Sequence, residues 1–245
     1  MIQGLYTASQ GMTALAQKQD QIANNLANVN TTAYKQSGLF TVAYQNLLKN
    51  EHDQVFANRE FKVDEVYIDY SEGTMRSTGS DLDLCIKGSG FFKIMTDDGV
   101  RYTRNGNFSL DSQGLIVTNG GAKLMGTEGY IRVEPNMKIT ISDKGEVIQN
   151  GESKGVIKIV DFEKPYQLKR HGSGSFTPID TVEAVELESQ GFLVKQGFLE
   201  SSNVDMIRNM VQMISAHRNY EADQKALYAQ DETLEKAVNQ VGRVG

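Results

Sequence analysis

The sequence has no tryptophan, one cysteine and three prolines in 245 residues. The lone Cys85 excludes an internal disulfide, which is typical of a reducing compartment or of a protein that does not depend on oxidation after export. No apolar run approaches the roughly 20 residues that a membrane-spanning helix needs, so the chain is not expected to span a membrane. The N-terminus also lacks a basic segment followed by a continuous apolar stretch, and no cleavable secretory signal is predicted. A cytosolic protein and a protein exported without a cleaved signal both remain open.

Positive charge is also scarce, since the formal net charge is −6 and the isoelectric point is near 5.2. A protein that binds nucleic acid needs a basic face, and the densest basic stretch, residues 169–171, is too short to form one. We therefore expect no nucleic-acid partner. The length is sufficient for one large domain or two modest ones.

Residues that could carry chemistry are few and scattered. His217 is followed four residues later by Glu221, which predicts a surface ion pair on a helix rather than a metal site. Cys85 lies in an apolar, strand-like run with no nearby histidine and is interpreted as a buried side chain. The pair Asp81 and Asp83 could in principle act as acid and base, but exposed strand positions explain it more simply. The sequence predicts no catalytic residue, no metal site and no cofactor, and hence a protein that is not an enzyme.

The N-terminal segment, from about residue 2 to residue 29, predicts an amphipathic helix. Its apolar residues follow two series at spacing seven, which together form a heptad-like seam: Leu5, Met12 and Leu26, and Ala8, Leu15, Ile22 and Val29. The polar face is rich in Gln and Asn and has only Lys18 and Asp20 as charges. A face exposed to water normally carries charges, so this face is better suited to contact with protein.

The C-terminal segment predicts a longer helix that ends near Val241. Its apolar series at spacing seven consists of Met206, Met213, Tyr220, Leu227, Leu234 and Val241. Ser202 and Asp205 resemble a capping box at its start. About 38 helical residues extend to roughly 57 Å, whereas a β-domain of some 130 residues has a radius of gyration of only about 14 Å. The helix must therefore pack on something beyond its own β-domain.

The middle of the chain predicts an all-β domain made of antiparallel hairpins. Short β-branched runs alternate there with Asp-Gly and Asn-Gly pairs, which favour tight hairpin turns. The predicted fold class is α+β, with a central all-β domain and with N- and C-terminal helices that pair into a discontinuous coiled-coil domain. The predicted boundaries are residues 1–30 and 200–245 for the paired helices, 31–69 for a linker with extended structure, and 70–199 for the β-rich domain.

Four parts of the sequence resemble the signatures of the bacterial flagellar rod and hook proteins. The N-terminal stretch 23–35 reads ANNLANVNTTAYK, and the C-terminal part comprises GFLESSNVD at 197–205 and MVQMISAHRNY at 210–220. Between them lie GTMRSTGSDLDLCIKGSGFF at 73–92 and YTRNGNF at 102–108. These parts occur in the family's order and include both termini. Ala33 departs from the pattern, because the family commonly has glycine there.

The resemblance implies a structural subunit of the bacterial flagellar basal-body rod that polymerises helically and transmits torque from motor to hook. In the family the terminal helices pair and line the tube, and the subunits leave the cell through the flagellar type III export apparatus without a cleavable signal peptide. The expected partners are therefore other copies, other rod and hook proteins and the export apparatus, and the expected location is the periplasmic basal body. The single β-domain is more similar to rod proteins than to the hook protein. The compact segment Ala122–Glu146 resembles the proximal rod type most, with the distal rod protein as the near alternative.

The helical seams are the predicted assembly interface. The residues predicted to form it are Leu5, Met12, Leu15, Ile22, Leu26, Val29, Met206, Met213, Tyr220, Leu227 and Leu234. A β-rich extracellular binding or fibre protein with coiled-coil stalks is the alternative. It would share the hairpins and helices, but not the paired terminal signatures.

Overall fold

The structure is a computed structural model that describes residues 2–46, 58–135, 137–172, 174–179, 187–188 and 191–241. Contacts within it divide the chain into two units. We call residues 1–27, 36–69 and 204–245 the helical unit, and residues 28–35 and 70–203 the β unit.

The helical unit contains two helices and one pair of strands, namely α1 (Ile2–Ala27), β1 (Ser37–Asn46), β2 (Asn58–Ile68) and α2 (Met206–Val241). The strands pair antiparallel from Ser37 opposite Ile68 to Asn46 opposite Asn58. They lie in the region for which extended structure was expected. Helix α1 packs against α2 and against both strands. The two terminal helices therefore pair, as their heptad series predicts.

Helix α1 ends two residues earlier than its apolar series. The chain turns after Ala27, where the N–H of Thr31 donates to the carbonyl oxygen of Asn28 at 3.1 Å. Asparagine and threonine side chains stabilise such turns by hydrogen bonding to nearby groups, and the hydroxyl of Thr31 reaches Asn28 Oδ1 at 3.2 Å. Val29 consequently lies in a turn of the β unit and not on the helix.

Helix α2 begins at Met206, and its N-cap is Asp205. The carboxylate of Asp205 accepts a hydrogen bond from the N–H of Arg208 at 3.0 Å, which satisfies one of the free donors of the first turn. The prediction that Ser202 begins a capping box is therefore wrong, because the N-cap lies three residues later. The acidic residue itself caps the helix.

The β unit is built from short strands that pair antiparallel, and this bears out the predicted α+β class. The strands are β3 (Met75–Ser77), β4 (Leu84–Lys87), β5 (Phe91–Thr96), β6 (Gly99–Thr103), β7 (Phe108–Leu110), β8 (Ile116–Thr118), β9 (Lys123–Gly126), β10 (Gly129–Tyr130), β11 (Ile139–Ile141), β12 (Glu146–Gln149), β13 (Glu152–Val156), β14 (Ile159–Asp161), β15 (Leu168–His171), β16 (Ser175–Pro178), β17 (Leu187–Glu188), β18 (Leu193–Gln196) and β19 (Phe198–Glu200).

The largest sheet runs in the order β15-β16-β6-β5-β9-β8-β7, with β10 beside β9, β14 beside β5 and β17 beside β14. Strands β11, β12 and β13 form a second sheet, and β18 pairs with β4 and β19 with β3. The core between these elements is aliphatic and aromatic, and Phe92 and Val147 within it are fully buried.

The glycine-rich turns have two different roles. Asn150 and Gly151 connect β12 to β13 with φ values of 53° and 81°, as the predicted hairpin turn requires. Asn105 and Gly106 do not form a hairpin turn, because β6 and β7 are not neighbours in the sheet. A Cβ on Gly106 would lie 1.7 Å from the carbonyl oxygen of Leu84, so this glycine permits a close approach of two backbones.

Ala33 holds a backbone conformation that normally requires glycine. Its φ is 56° and its side chain is fully buried. The left-handed region costs an L-residue roughly 1–2 kcal/mol, and the hydrogen bond from the Ala33 N–H to the Glu200 carbonyl oxygen, at 2.8 Å, holds the chain there. Glycine is usual in the family at this position because it adopts a positive φ without strain. Alanine adopts the same φ here with strain.

Cys85 lies on β4 and is 1% exposed, which confirms its interpretation as a buried side chain. Burial raises the pKa of its thiol to about 11, from 9.0. Because the thiolate is the reactive form, we expect alkylation by iodoacetamide at pH 8 to be at least about 100-fold slower in the folded protein than in urea. Mass spectrometry over time measures both rates. Equal rates would show that β4 opens freely.

Candidate assembly surface

The helices of the helical unit run antiparallel. Residues 18–25 of α1 line the same cleft as residues 208–212 of α2. Nearer the N-terminus, a Cβ built on Gly11 would lie 3.4 Å from Asp223 Oδ2. Lower residue numbers in α1 therefore lie beside higher residue numbers in α2. The C-terminal end of α1 lies beside the N-terminal end of α2.

The structure places ten of the eleven predicted interface residues on the two packed helices and one outside them. Ile22 is 4% exposed, and Met206, at the start of α2, is 40% exposed. Leu5 lies on α1, but its side chain is outside the described residues. Val29 belongs to the β unit. The remaining members are half-buried, namely Met12, Leu15, Leu26, Met213, Tyr220, Leu227 and Leu234.

Two residues of the amide-rich face of α1, Gln21 and Asn25, hydrogen-bond to Ser37 of the same chain. Asn25 is 2% exposed, its side-chain N–H donates to the Ser37 carbonyl oxygen at 2.8 Å, and its Oδ1 accepts from the Ser37 N–H at 3.1 Å. These two bonds satisfy the backbone at the start of β1. Contact of this face with protein was expected, and for Asn25 that protein is the same subunit.

An exposed apolar stripe on α2 lies outside the predicted seam. It consists of Ile207, Met210, Val211 and Ile214, which are 75%, 45%, 58% and 54% exposed. The spacing i, i+3, i+4, i+7 places them on one face of the helix, and we call this face the α2 stripe. Sequence reasoning followed the series at spacing seven through Met206 and missed this face, although its spacing was a readable signal.

A second feature that sequence reasoning missed is a buried charge cluster in the β unit. Lys35 and Glu200 are 1% and 2% exposed, and Lys35 Nζ lies 2.5 Å from Glu200 Oε1. Arg104, 4% exposed, places its Nη1 3.8 Å from Glu200 Oε2. Burial lowers the pKa of Lys35, although the carboxylate of Glu200 acts in the opposite direction. One carboxylate therefore serves two buried cations.

Backbone groups complete this cluster. Lys35 Nζ also donates to the Ser71 carbonyl oxygen at 2.6 Å, and the Gly73 N–H donates to Glu200 Oε1 at 2.9 Å. Arg104 donates to the carbonyl oxygens of Ile86 and Gly88. We call Lys35, Glu200 and Arg104 with these partners the ionic cluster. Its lysine ends the N-terminal signature stretch, and its glutamate lies inside the C-terminal one.

Two of the residues that the sequence analysis considered for chemistry, His217 and Asp83, make an ion pair or a hydrogen bond within the chain. His217 Nε2 lies 3.4 Å from Glu221 Oε1 on the exposed surface of α2, which confirms the predicted pair. The expectation of an exposed Asp83 is wrong: it is 6% exposed and its Oδ1 accepts from Asn107 Nδ2 at 2.8 Å. Within the described residues, no group of three or more His, Cys, Asp and Glu side chains is arranged to hold a metal ion. No described helix is long and apolar enough to cross a membrane.

Comparison with family models gives three matches along the chain. Residues 5–35 match the model described as flagella basal body rod protein. Residues 85–149 match the flagellar hook protein FlgE/F/G D1 domain, and residues 195–241 match the flagellar basal body rod FlgEFG protein C-terminal model. The first and third matches include most of α1 and all of α2, and the second lies in the β unit.

Whole-length relatives agree with these matches. The chain is 32% identical to the flagellar basal-body rod protein FlgG of Bacillus subtilis, over 98% of this chain and 99% of that protein. It is 35% identical to the FlgG rod protein of Borreliella burgdorferi, over 98% of each chain. It is 29% identical to the flagellar basal-body rod protein FlgF of Caulobacter vibrioides, over the full length of both.

Proposed function

The chain belongs to the family of flagellar basal-body rod proteins, and on that premise we propose that it polymerises helically through its terminal helices and transmits torque from motor to hook. It is a structural subunit of the bacterial flagellar basal-body rod. The observation that carries the proposal is the helical unit, in which an antiparallel pair of helices leaves the α2 stripe open to solvent. Such a contiguous apolar face on a helix is typical of a protein interface.

The proposed assembly domain comprises residues 1–30 and 200–245, with the β-rich domain at 70–199. Within it, the proposed interface consists of the eleven seam residues already given, to which the α2 stripe is added. The half-buried state of most seam members supports a double role, because a side chain that packs partly within its own subunit still has area to bury against a neighbour.

The subunit assembles with other rod and hook components. The further proposals are that it reaches the rod through the flagellar export apparatus without a cleavable signal peptide, that the rod holds it in the periplasmic space, and that it has no catalytic activity and binds no nucleic acid. A position in the proximal rather than the distal rod stays a prediction.

The test of assembly uses Leu26→Asp. Leu26 is half-buried in the last turns of α1, and a carboxylate there would be unpaired in the packed seam. In cells that lack their own copy of the gene, we expect this variant to leave basal bodies without a complete rod, as seen by electron microscopy, and to abolish swimming. Leu26→Met, which keeps the volume and the apolar character, should restore both.

The β unit should remain folded in Leu26→Asp, because Leu26 lies in the other unit. Circular dichroism of the purified variant checks this through the strand signal. Normal rods built from Leu26→Asp would overturn the proposed role of the seam.

A further inference from the structure

The helical unit contains a polar cleft of about 470 Å³. It lies between α1, the first residues of β1, the end of β2 and the first turns of α2. Its charged side chains are Lys18, Arg208 and Asp69, so cations outnumber the one carboxylate. Within the described residues, the side chains of Lys18 and Arg208 make no ion pair or hydrogen bond, whereas Asp69 has a partner. The cleft therefore offers two cations that have no anion of their own.

The far end of the helix pair has the opposite character. With Gly11 beside Asp223 in an antiparallel pair, the first described residue of α1, Ile2, comes level with about residue 232 of α2. Helix α2 continues to Val241, so its last nine residues or so, roughly 13 Å, have no part of α1 beside them. We call residues 231–241, from the level of the first residues of α1 to the end of α2, the α2 tip.

The α2 tip is acidic where its side chains are described. Asp231, Glu232 and Glu235 are exposed, and the one described cation, Lys236, is bound to Glu232 at 2.7 Å. Asp231 and Glu235 make no ion pair within the described part of the chain. The α2 tip thus carries surplus carboxylates, and the cleft carries surplus cations.

The two surfaces cannot meet within one subunit. Arg208 and Glu235 are on the same helix and 27 residues apart, which corresponds to about 40 Å of helix. A contact between them must therefore join two copies. Because it uses different patches on the two partners, it is heterologous, and such a contact propagates into a helical filament when the rotation between copies does not close a ring.

We propose that the α2 tip of one subunit docks in the polar cleft of the next copy, with Asp231 and Glu235 facing Lys18 and Arg208. This inference rests on the proposed assembly and names the contact that propagates it along the rod axis. Charge complementarity sets the register of such contacts and suppresses wrong neighbours. The α2 stripe then serves lateral packing, and the cleft serves axial packing.

The experiment is a charge reversal on each side. Asp231→Lys with Glu235→Lys should raise the concentration needed for assembly at least about tenfold, since like charges across an interface cost several kcal/mol. Lys18→Glu with Arg208→Glu should do the same. The four substitutions together should restore assembly. Assembly is measured by sedimentation of the purified chain and by the number of complete rods in cells that lack the native copy. Glu128→Lys with Glu163→Lys, at two exposed positions in the β unit, is the control that matches the change of net charge in Asp231→Lys with Glu235→Lys.

Each outcome of this experiment supports or overturns the proposed contact between the α2 tip and the cleft. Normal assembly of either reversed pair overturns the proposal, and so does failure of the combined variant to recover while its helix content by circular dichroism equals that of the wild type. If the wild-type chain itself enters no rod, the proposed function is wrong. If the wild-type chain enters rods but the charge reversals have no effect, only the proposed contact is wrong. Salt should weaken wild-type assembly, because the contact pairs exposed charges, and this weakening should be absent from either reversed pair.

Discussion

Replacing Glu200 with glutamine is expected to destabilise the β unit by about 4 kcal/mol, because removal of one partner from a buried ion pair leaves an uncompensated charge. Two cations depend on this carboxylate, Lys35 at 2.5 Å and Arg104 at 3.8 Å. Lys35→Met should cost less, about 3 kcal/mol, because Glu200 then still has Arg104 and the Gly73 N–H. The order of the two effects is the specific expectation.

Urea unfolding followed by circular dichroism measures both variants, since the chain has no tryptophan to report by fluorescence. The matched control is Lys154→Met, which breaks an ion pair with Glu152 at 2.9 Å on the surface. Exposed pairs contribute little, so this variant should unfold at the wild-type urea concentration. A Glu200→Gln variant that is no less stable than Lys35→Met would contradict the shared role of the carboxylate.

Ile207→Glu combined with Ile214→Glu is expected to abolish rod assembly while leaving the subunit folded. Both side chains are more than half exposed in the single chain, so their replacement removes little packing within the subunit. If the α2 stripe is buried between copies, each glutamate would place an unpaired charge in that interface. We expect loss of swimming and no complete rods in cells that lack the native copy.

The control adds the same two negative charges to α2, but at positions outside the α2 stripe. Asn219→Glu with Gln224→Glu adds two carboxylates at exposed positions of the same helix and should assemble as the wild type does. Helix content by circular dichroism should be equal in all three chains. Full rods from the Ile207 and Ile214 variant would show that the α2 stripe faces solvent in the assembly.

The helices could be predicted from the sequence because their information is local and periodic. The series through Met206 and Leu227 predicts from hydrophobic spacing alone that α2 packs along one face, and α2 does pack against α1. The ends of the helices are harder to predict. Helix α1 ends at Ala27 because Asn28 and Thr31 form a turn, although the apolar series continues to Val29. Side-chain hydrogen bonds of this kind compete with helix and carry no periodicity.

The ionic cluster could not be predicted from local pattern. Lys35 and Glu200 are 165 positions apart, and a single lysine or glutamate normally lies on the surface. Their pairing depends on the route of the backbone through Ser71 and Gly73. The resemblance pointed to the stretches that contain both residues, but it did not indicate that they meet.

The ionic cluster also determines how a mechanical load would enter the β unit. The chain passes between the two units at four points, next to residues 27, 35, 69 and 203. Beside the last three of these points, segments of the β unit are bound to one another: the Asn203 N–H donates to the Tyr34 carbonyl oxygen, and the Asn203 side chain reaches Ser71. Strand β3 begins beside this point and its antiparallel partner β19 ends there, with Met75 opposite Glu200. A pull or twist from the helices would therefore act on both strands from the same end, so the tension is shared between them and does not peel one from the other.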